Sequence, residues 1–112
     1  VSSAPGKQGY YEPKEMNAQN EKNGNKAGAV LLDPEGTVGM AFGAKTTPQM
    51  YVIDPDGVLL YNGAIDDRPT SQVADIEGAT NYLVAALHEA MSGNPVSLPA
   101  TQPYGCSVKY KD

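Results

Sequence analysis

The sequence predicts a small α/β domain, and three observations carry that prediction. A β-hairpin is legible at residues 50–61, an amphipathic helix at 75–92, and a short apolar run ending in Asp-Pro at 29–34. The 112 residues suit one domain able to bury roughly two thirds of its unfolded surface. Twelve glycines and nine prolines exceed ordinary usage of roughly 12%. Hydrophobic residues make up 40%, so the expected core is lean and its connections many.

Residues 1–11, VSSAPGKQGYY, contain Pro5, Gly6 and Gly9 without helical or strand period, and read as a loop. A weak helix follows from Pro13 to Asn23, with Pro13 at its first position, Glu15 near its positive end and Gly24 closing it. Only Met16 and Ala18 are apolar within it. Ala29 to Leu32, AVLL, has the length of a buried strand. Asp33 then reads as the N-cap of a helix with Pro34 just inside. Val38, Ala41 and Phe42 share one face of that helix, which ends at Gly43. Gly36 and Gly39 each cost on the order of 1 kcal/mol there, so it depends on tertiary packing.

The hairpin is the clearest local signal. MYVID (50–54) and VLLY (58–61) flank Pro55-Asp56-Gly57. Asp54 can accept backbone bonds, Pro55 pre-sets φ and Gly57 tolerates positive φ, which together specify a type I turn with a bulge. A polar connection, 62–74, leads to a helix from Asp75 to Ser92. Ala79, Tyr82, Leu83, Ala86, Leu87 and Ala90 lie on its apolar stripe, which continues to Met91. Gly93 and Pro95 stop it. The extended tail is spaced by Pro95, Pro99 and Pro103 and ends in a short strand at 106–110. One domain is expected, with a loop and weak helix at 1–28, a core at 29–92 and a tail at 93–112.

Thirteen acidic residues against eight basic ones give a net charge of −5. No basic run offers the face that nucleic acid or an anionic membrane requires. No apolar run approaches the ~18 residues of a spanning helix, and no charged-then-apolar leader opens the chain. The cytoplasm stands only as a default, and these residues do not fix the compartment. The chain opens on Val1 rather than Met, which leaves room for residues ahead of it. Cys106 is the one cysteine, which excludes an internal disulfide and a cysteine-built zinc site.

Few residues suggest chemistry. Thr46-Thr47-Pro48 before MYVID is by itself an ordinary start to a strand, in trans, since about 5–6% of X-Pro bonds are cis. Cys106 reads first as a small, partly buried hydrophobe. A reactive thiol would need exposure and a cation or helix N-terminus, for which Lys109 is the nearest sequence candidate. Asp54-Pro55-Asp56-Gly57 resembles the start of a calcium loop but lacks its later ligands, and the turn explains it. Asp66-Asp67 reads as a solvated loop pair. His88 stands one position off the apolar stripe, with no acidic or cysteine co-ligand four residues away. No metal site, cofactor, phosphate loop or nucleophile elbow is expected.

The run AVLLDPEGTVGMAFGAKTTPQMYVIDPDGVLLYNGAIDD resembles the carboxy-terminal half of the thioredoxin-like redoxins, the alkyl hydroperoxide reductase/thiol-specific antioxidant family. The pieces stand in order: a strand ending D-P-x-G, a helix, a Thr-Pro pair, a strand ending I-D-P-x-G and its antiparallel partner. SSAPGKQGY, NYLVAALHEAMSGNPV and PYGCSVKY extend the likeness over nearly the whole chain. The resemblance implies a partial thioredoxin-like fold with a C-terminal hairpin and packing helix. Pro48 would be the fold's cis-proline, with Thr47 before it, in a loop that positions a substrate chain. It also implies a catalytic cysteine on a strand and helix that would precede Val1. Cys106 does not match that position.

Three functions follow as expectations. The first is the distal part of a redoxin-type thiol–disulfide oxidoreductase or peroxidase-like protein, without turnover from these residues alone. The second is a naturally truncated, non-enzymatic module that dimerises or binds a protein. The third is a one-cysteine redox protein acting through Cys106 on a protein thiol partner. Without the central strands, the hairpin would keep an open edge, so a homodimer through that edge or through tail exchange is expected.

Overall fold

The computed structural model describes residues 4–112. Val1, Ser2 and Ser3, the start of the expected N-terminal loop, lie outside the described residues. The chain is mixed α/β. Its elements are α1 (Pro13–Lys22), α2 (Thr37–Ala41), β1 (Thr46–Thr47), β2 (Met50–Ile53), β3 (Leu59–Gly63), a 3₁₀ turn (Val73–Asp75), α3 (Tyr82–Met91) and β4 (Cys106–Ser107). Two two-stranded antiparallel sheets form, β1 with β4 and β2 with β3. The chain groups into two compact units, the described part of Val1–Ala44 together with Val108–Asp112, and Lys45–Ser107.

The second unit contains both sheets. In its hairpin, Asp54 Oδ1 accepts from the N–H groups of Asp56 (2.9 Å) and Val58 (2.8 Å). Gly57 N–H donates to the Asp54 carbonyl at 3.0 Å, and Gly57 has φ +83°. The local turn signal therefore operates as the sequence implies, and the register shifts between Val52 and Ile53. Helix α3 lies on the hairpin, and Val52, Tyr61 and Ala86 are buried together, with Tyr82 and Leu83 packed against them.

Helix α3 begins at Tyr82 rather than Asp75. Asn81 caps it, its side chain accepting from Val84 N–H at 2.9 Å. The preceding residues form a 3₁₀ turn over Val73–Asp75 and a further turn to Gly78. Glycine and the Asn81 cap divide what periodicity alone joins. Beyond α3 the tail lies along β3. Asn62 N–H donates to the Pro99 carbonyl (3.0 Å) and Thr101 N–H to the Asn62 carbonyl (3.2 Å). The short terminal strand covers only Cys106–Ser107.

The first unit corrects two expectations. Ala29–Leu32 forms no strand, and Leu31 is 78% exposed. A short apolar run becomes a buried strand only against a neighbour, and no strand pairs with it among the described residues. The following helix begins at Thr37, with Gly36 in the N-cap position at φ +75°. Asp33 still serves it from further upstream. Its carboxylate accepts from Val38 N–H (3.3 Å) and Gly39 N–H (2.8 Å), bonds that an N-cap side chain would otherwise take. The expected apolar face is turned outward: Val38 and Phe42 are exposed, whereas Gly39 is buried.

The carboxy-terminal residues complete this unit. Ala4 N–H donates to the Lys109 carbonyl (2.9 Å), and the Tyr110 hydroxyl donates to the Ala44 carbonyl (2.7 Å). A Cβ on Gly36 would stand 2.7 Å from the Tyr110 ring, so glycine there permits both the backbone angle and the approach. Burial, followed by the Asp33 carboxylate, raises the pKa of the Tyr110 phenol.

Candidate functional site

The residues singled out for chemistry converge in the second unit. In the β1–β4 ladder, Thr46 lies opposite Ser107 and Thr47 opposite Cys106. The Thr47–Pro48 peptide bond is cis. Thr47, Pro48 and Cys106 are all exposed, so the thiol lies open beside the Thr-Pro pair rather than partly buried. The Thr46 hydroxyl donates to the Pro48 carbonyl at 2.9 Å. Gln49 fixes the approach to β2: its Oε1 accepts from Lys45 N–H (2.9 Å), and its Nε2 donates to Asn62 Oδ1 (2.9 Å).

Three tail residues bring Cys106 to this place. Thr101 Oγ1 accepts from Ala64 N–H (2.9 Å) and shares a hydrogen bond with the Tyr61 hydroxyl (2.6 Å), which also reaches the Ala64 carbonyl (2.5 Å). The Tyr104 hydroxyl donates to the Asp66 carboxylate. That bond, with desolvation and the charges of Asp66 and Asp67, pushes the Tyr104 pKa up to about 12. Gly105 backs against the Thr47 carbonyl, where a Cβ would overlap it. Sequence reasoning missed Thr101 and Tyr104. Their partners lie about 40 positions away, and neither belongs to a periodic element; the Pro103–Cys106 run was the one local signal.

The acidic pair is structural rather than merely solvated. Asp66 Oδ1 also accepts from Arg68 N–H (2.9 Å), and Asp67 Oδ1 accepts from Thr80 N–H (2.8 Å). Together they shape a depression of about 200 Å³ with Tyr82, Thr101 and Tyr104. His88 is exposed on α3. Among the described residues, no group of three His, Cys, Asp or Glu side chains is arranged to hold a metal ion.

Chemically, the arrangement offers one accessible thiol in a strand, beside a Thr-Pro turn. Cys106 stands in a two-residue strand rather than at a helix N-terminus. No protein-family model and no curated protein matches the chain.

Proposed function

We propose that these residues are the distal part of a redoxin-type thiol–disulfide oxidoreductase or peroxidase-like protein and have no turnover of their own. The observation that carries this reading is the arrangement at the Thr-Pro pair. Thr47-Pro48 immediately precedes the first strand of an antiparallel hairpin, and α3 packs on that hairpin. The order of motifs along the chain supports the same reading. In it, Thr47 and Pro48 position a substrate chain, and the reacting cysteine belongs to a segment ahead of Val1.

Two measurements test this. The reading frame upstream of Val1 should encode a strand followed by a cysteine-bearing helix; a start codon directly before Val1 overturns the assignment and favours a non-enzymatic module. The purified 112-residue chain should turn over neither hydroperoxide nor insulin disulfide. Turnover by it would remove the proposed dependence on an upstream cysteine.

One observation favours a second reading, a one-cysteine redox protein. The ladder sets Cys106 directly opposite Thr47, with the thiol exposed. Iodoacetamide labelling separates the two readings. Reaction no faster than that of free cysteine eliminates the one-cysteine protein, whereas a strongly accelerated reaction, absent in Cys106→Ser, supports it.

A further inference from the structure

Asparagine followed directly by glycine occurs twice in the chain, at Asn23-Gly24 and Asn62-Gly63. Such a pair can react with itself. The glycine nitrogen, once deprotonated by hydroxide, attacks the asparagine Cγ, and no Cβ on the following residue stands in its path. A bond forms between that nitrogen and Cγ. The Cγ–Nδ2 bond breaks, and its electron pair leaves with ammonia, which takes its proton from water and restores the hydroxide. Water then opens the resulting succinimide. Hydrolysis at Cγ leaves aspartate; hydrolysis at the main-chain carbonyl leaves isoaspartate, with the chain now running through Cγ. The sum is a carboxamide and water giving a carboxylate and ammonium, with nothing oxidised or reduced.

The two sites stand in different surroundings. Asn62 lies in β3, where the buried Gly63 is paired with Met50. Asn62 N–H donates to the Pro99 carbonyl (3.0 Å), and its carbonyl accepts from Thr101 N–H (3.2 Å). Its Oδ1 accepts from Gln49 Nε2 at 2.9 Å. A Cβ on Gly63 would overlap Thr101. Main chain and carboxamide are both held, so the Gly63 nitrogen reaches Cγ only when the hairpin and tail come apart.

Asn23 differs at each point. It is the C-cap of α1, and both it and Gly24 are exposed. Its carboxamide has no hydrogen-bond partner among the described residues. A Cβ on Gly24 would meet nothing within 4 Å. Two bonds close the helix end, Gly24 N–H to the Glu21 carbonyl (3.1 Å) and Asn25 N–H to the Asn20 carbonyl (2.9 Å). They must open before the Gly24 nitrogen turns toward Cγ. Because α1 buries none of its residues, fraying of this last turn suffices.

We propose that Asn23 is the chain's site of spontaneous deamidation, through a succinimide formed with Gly24, while folding protects Asn62. The product carries a carboxylate at the C-terminal end of α1, where the helix dipole disfavours negative charge. The net charge of −5 becomes one unit more negative, and the isoaspartyl form lengthens the main chain at the cap. Modification therefore loosens α1 permanently. The proposal is independent of the redoxin reading.

The test is incubation of the purified chain at mildly alkaline pH, folded and in concentrated urea, followed by peptide mass mapping. Glutamate-specific cleavage places Asn23 and Asn62 on separate peptides, and electron-transfer fragmentation distinguishes isoaspartate from aspartate. In the folded chain Asn23 should react at least about tenfold faster than Asn62, the factor that even a small part of a domain's stability imposes. In urea the two rates should converge. The Asn23 rate should rise in proportion to hydroxide concentration. Asn23→Ser should lose the first acidic species on isoelectric focusing with an unchanged circular dichroism spectrum. Should that variant not fold, the wild-type comparison with and without urea decides the matter. Three results overturn the proposal: Asn62 or another asparagine reacting as fast as Asn23 in the folded chain, an Asn23 that reacts only in urea, or a rate ratio that urea leaves unchanged.

Discussion

Within Lys45–Ser107, Val52, Tyr61 and Ala86 are buried together beneath a helix and a hairpin. The other unit buries Ala4, Ala44, Asp33 and glycines at positions 36 and 39, and α1 buries nothing. The first arrangement stabilises by removing apolar area from water, at roughly 25 cal/mol per Å². The second relies on polar closure: the Asp33 carboxylate on two N–H groups, the Tyr110 hydroxyl on a carbonyl, and the Lys7–Asp112 and Lys111–Glu35 ion pairs. Those ion pairs are exposed and contribute little, about 0–1 kcal/mol each. The two units should therefore fail differently.

The largest expected effect is Tyr61→Ala. Its side chain is 1% exposed, and its hydroxyl holds both Ala64 and Thr101. Removal should cost roughly 3–5 kcal/mol, read as an earlier urea transition. Amide exchange should place the loss within residues 45–107, and equal loss in both units would erase the distinction. Gly36→Ala probes the other unit, where positive φ and the Tyr110 ring both oppose a Cβ. It should cost roughly 1–3 kcal/mol, with increased exchange at Ala4 and Ala44.

Two caps give a matched, smaller pair. Asp33→Ala and Asn81→Ala each remove a side-chain acceptor at a helix start, and each should cost about 1 kcal/mol. Asp33 should be the more damaging, because its helix buries so little else. The smallest effect is spectroscopic. Tyr104 must be protonated to donate to Asp66, and its folded pKa lies above the unfolded value. The bond's contribution is therefore complete below about pH 10 and lost as pH rises through about 12. Absorbance titration of Asp66→Asn should show this tyrosine ionising closer to its ordinary value.

The sequence was most informative where structure is decided within a few residues. Asp54, Pro55 and Gly57 dictate the turn by their own geometry, so the hairpin was readable. The Asn81 cap went unread, because the apolar stripe running back to Ala79 joins it to the residues before it. AVLL misled because a run of aliphatic residues states a preference for burial without supplying a neighbour. The β1–β4 ladder could not be read, since it joins two-residue segments about 60 positions apart, and Thr101 and Tyr104 are anchored by equally distant partners. At the candidate site, Thr47, Pro48 and Cys106 were each singled out, but their adjacency belongs to tertiary structure alone.

The closure of the first unit by Val108–Asp112 has a consequence for synthesis. Ala4 and Lys109 are hydrogen-bonded across nearly the full length of the chain. During translation, which proceeds at roughly 5–20 residues per second, the amino-terminal unit cannot close while its last five residues remain in the ribosome. Its residues up to Ala44 are made before Lys45–Ser107 yet close after it, because they wait for Val108–Asp112.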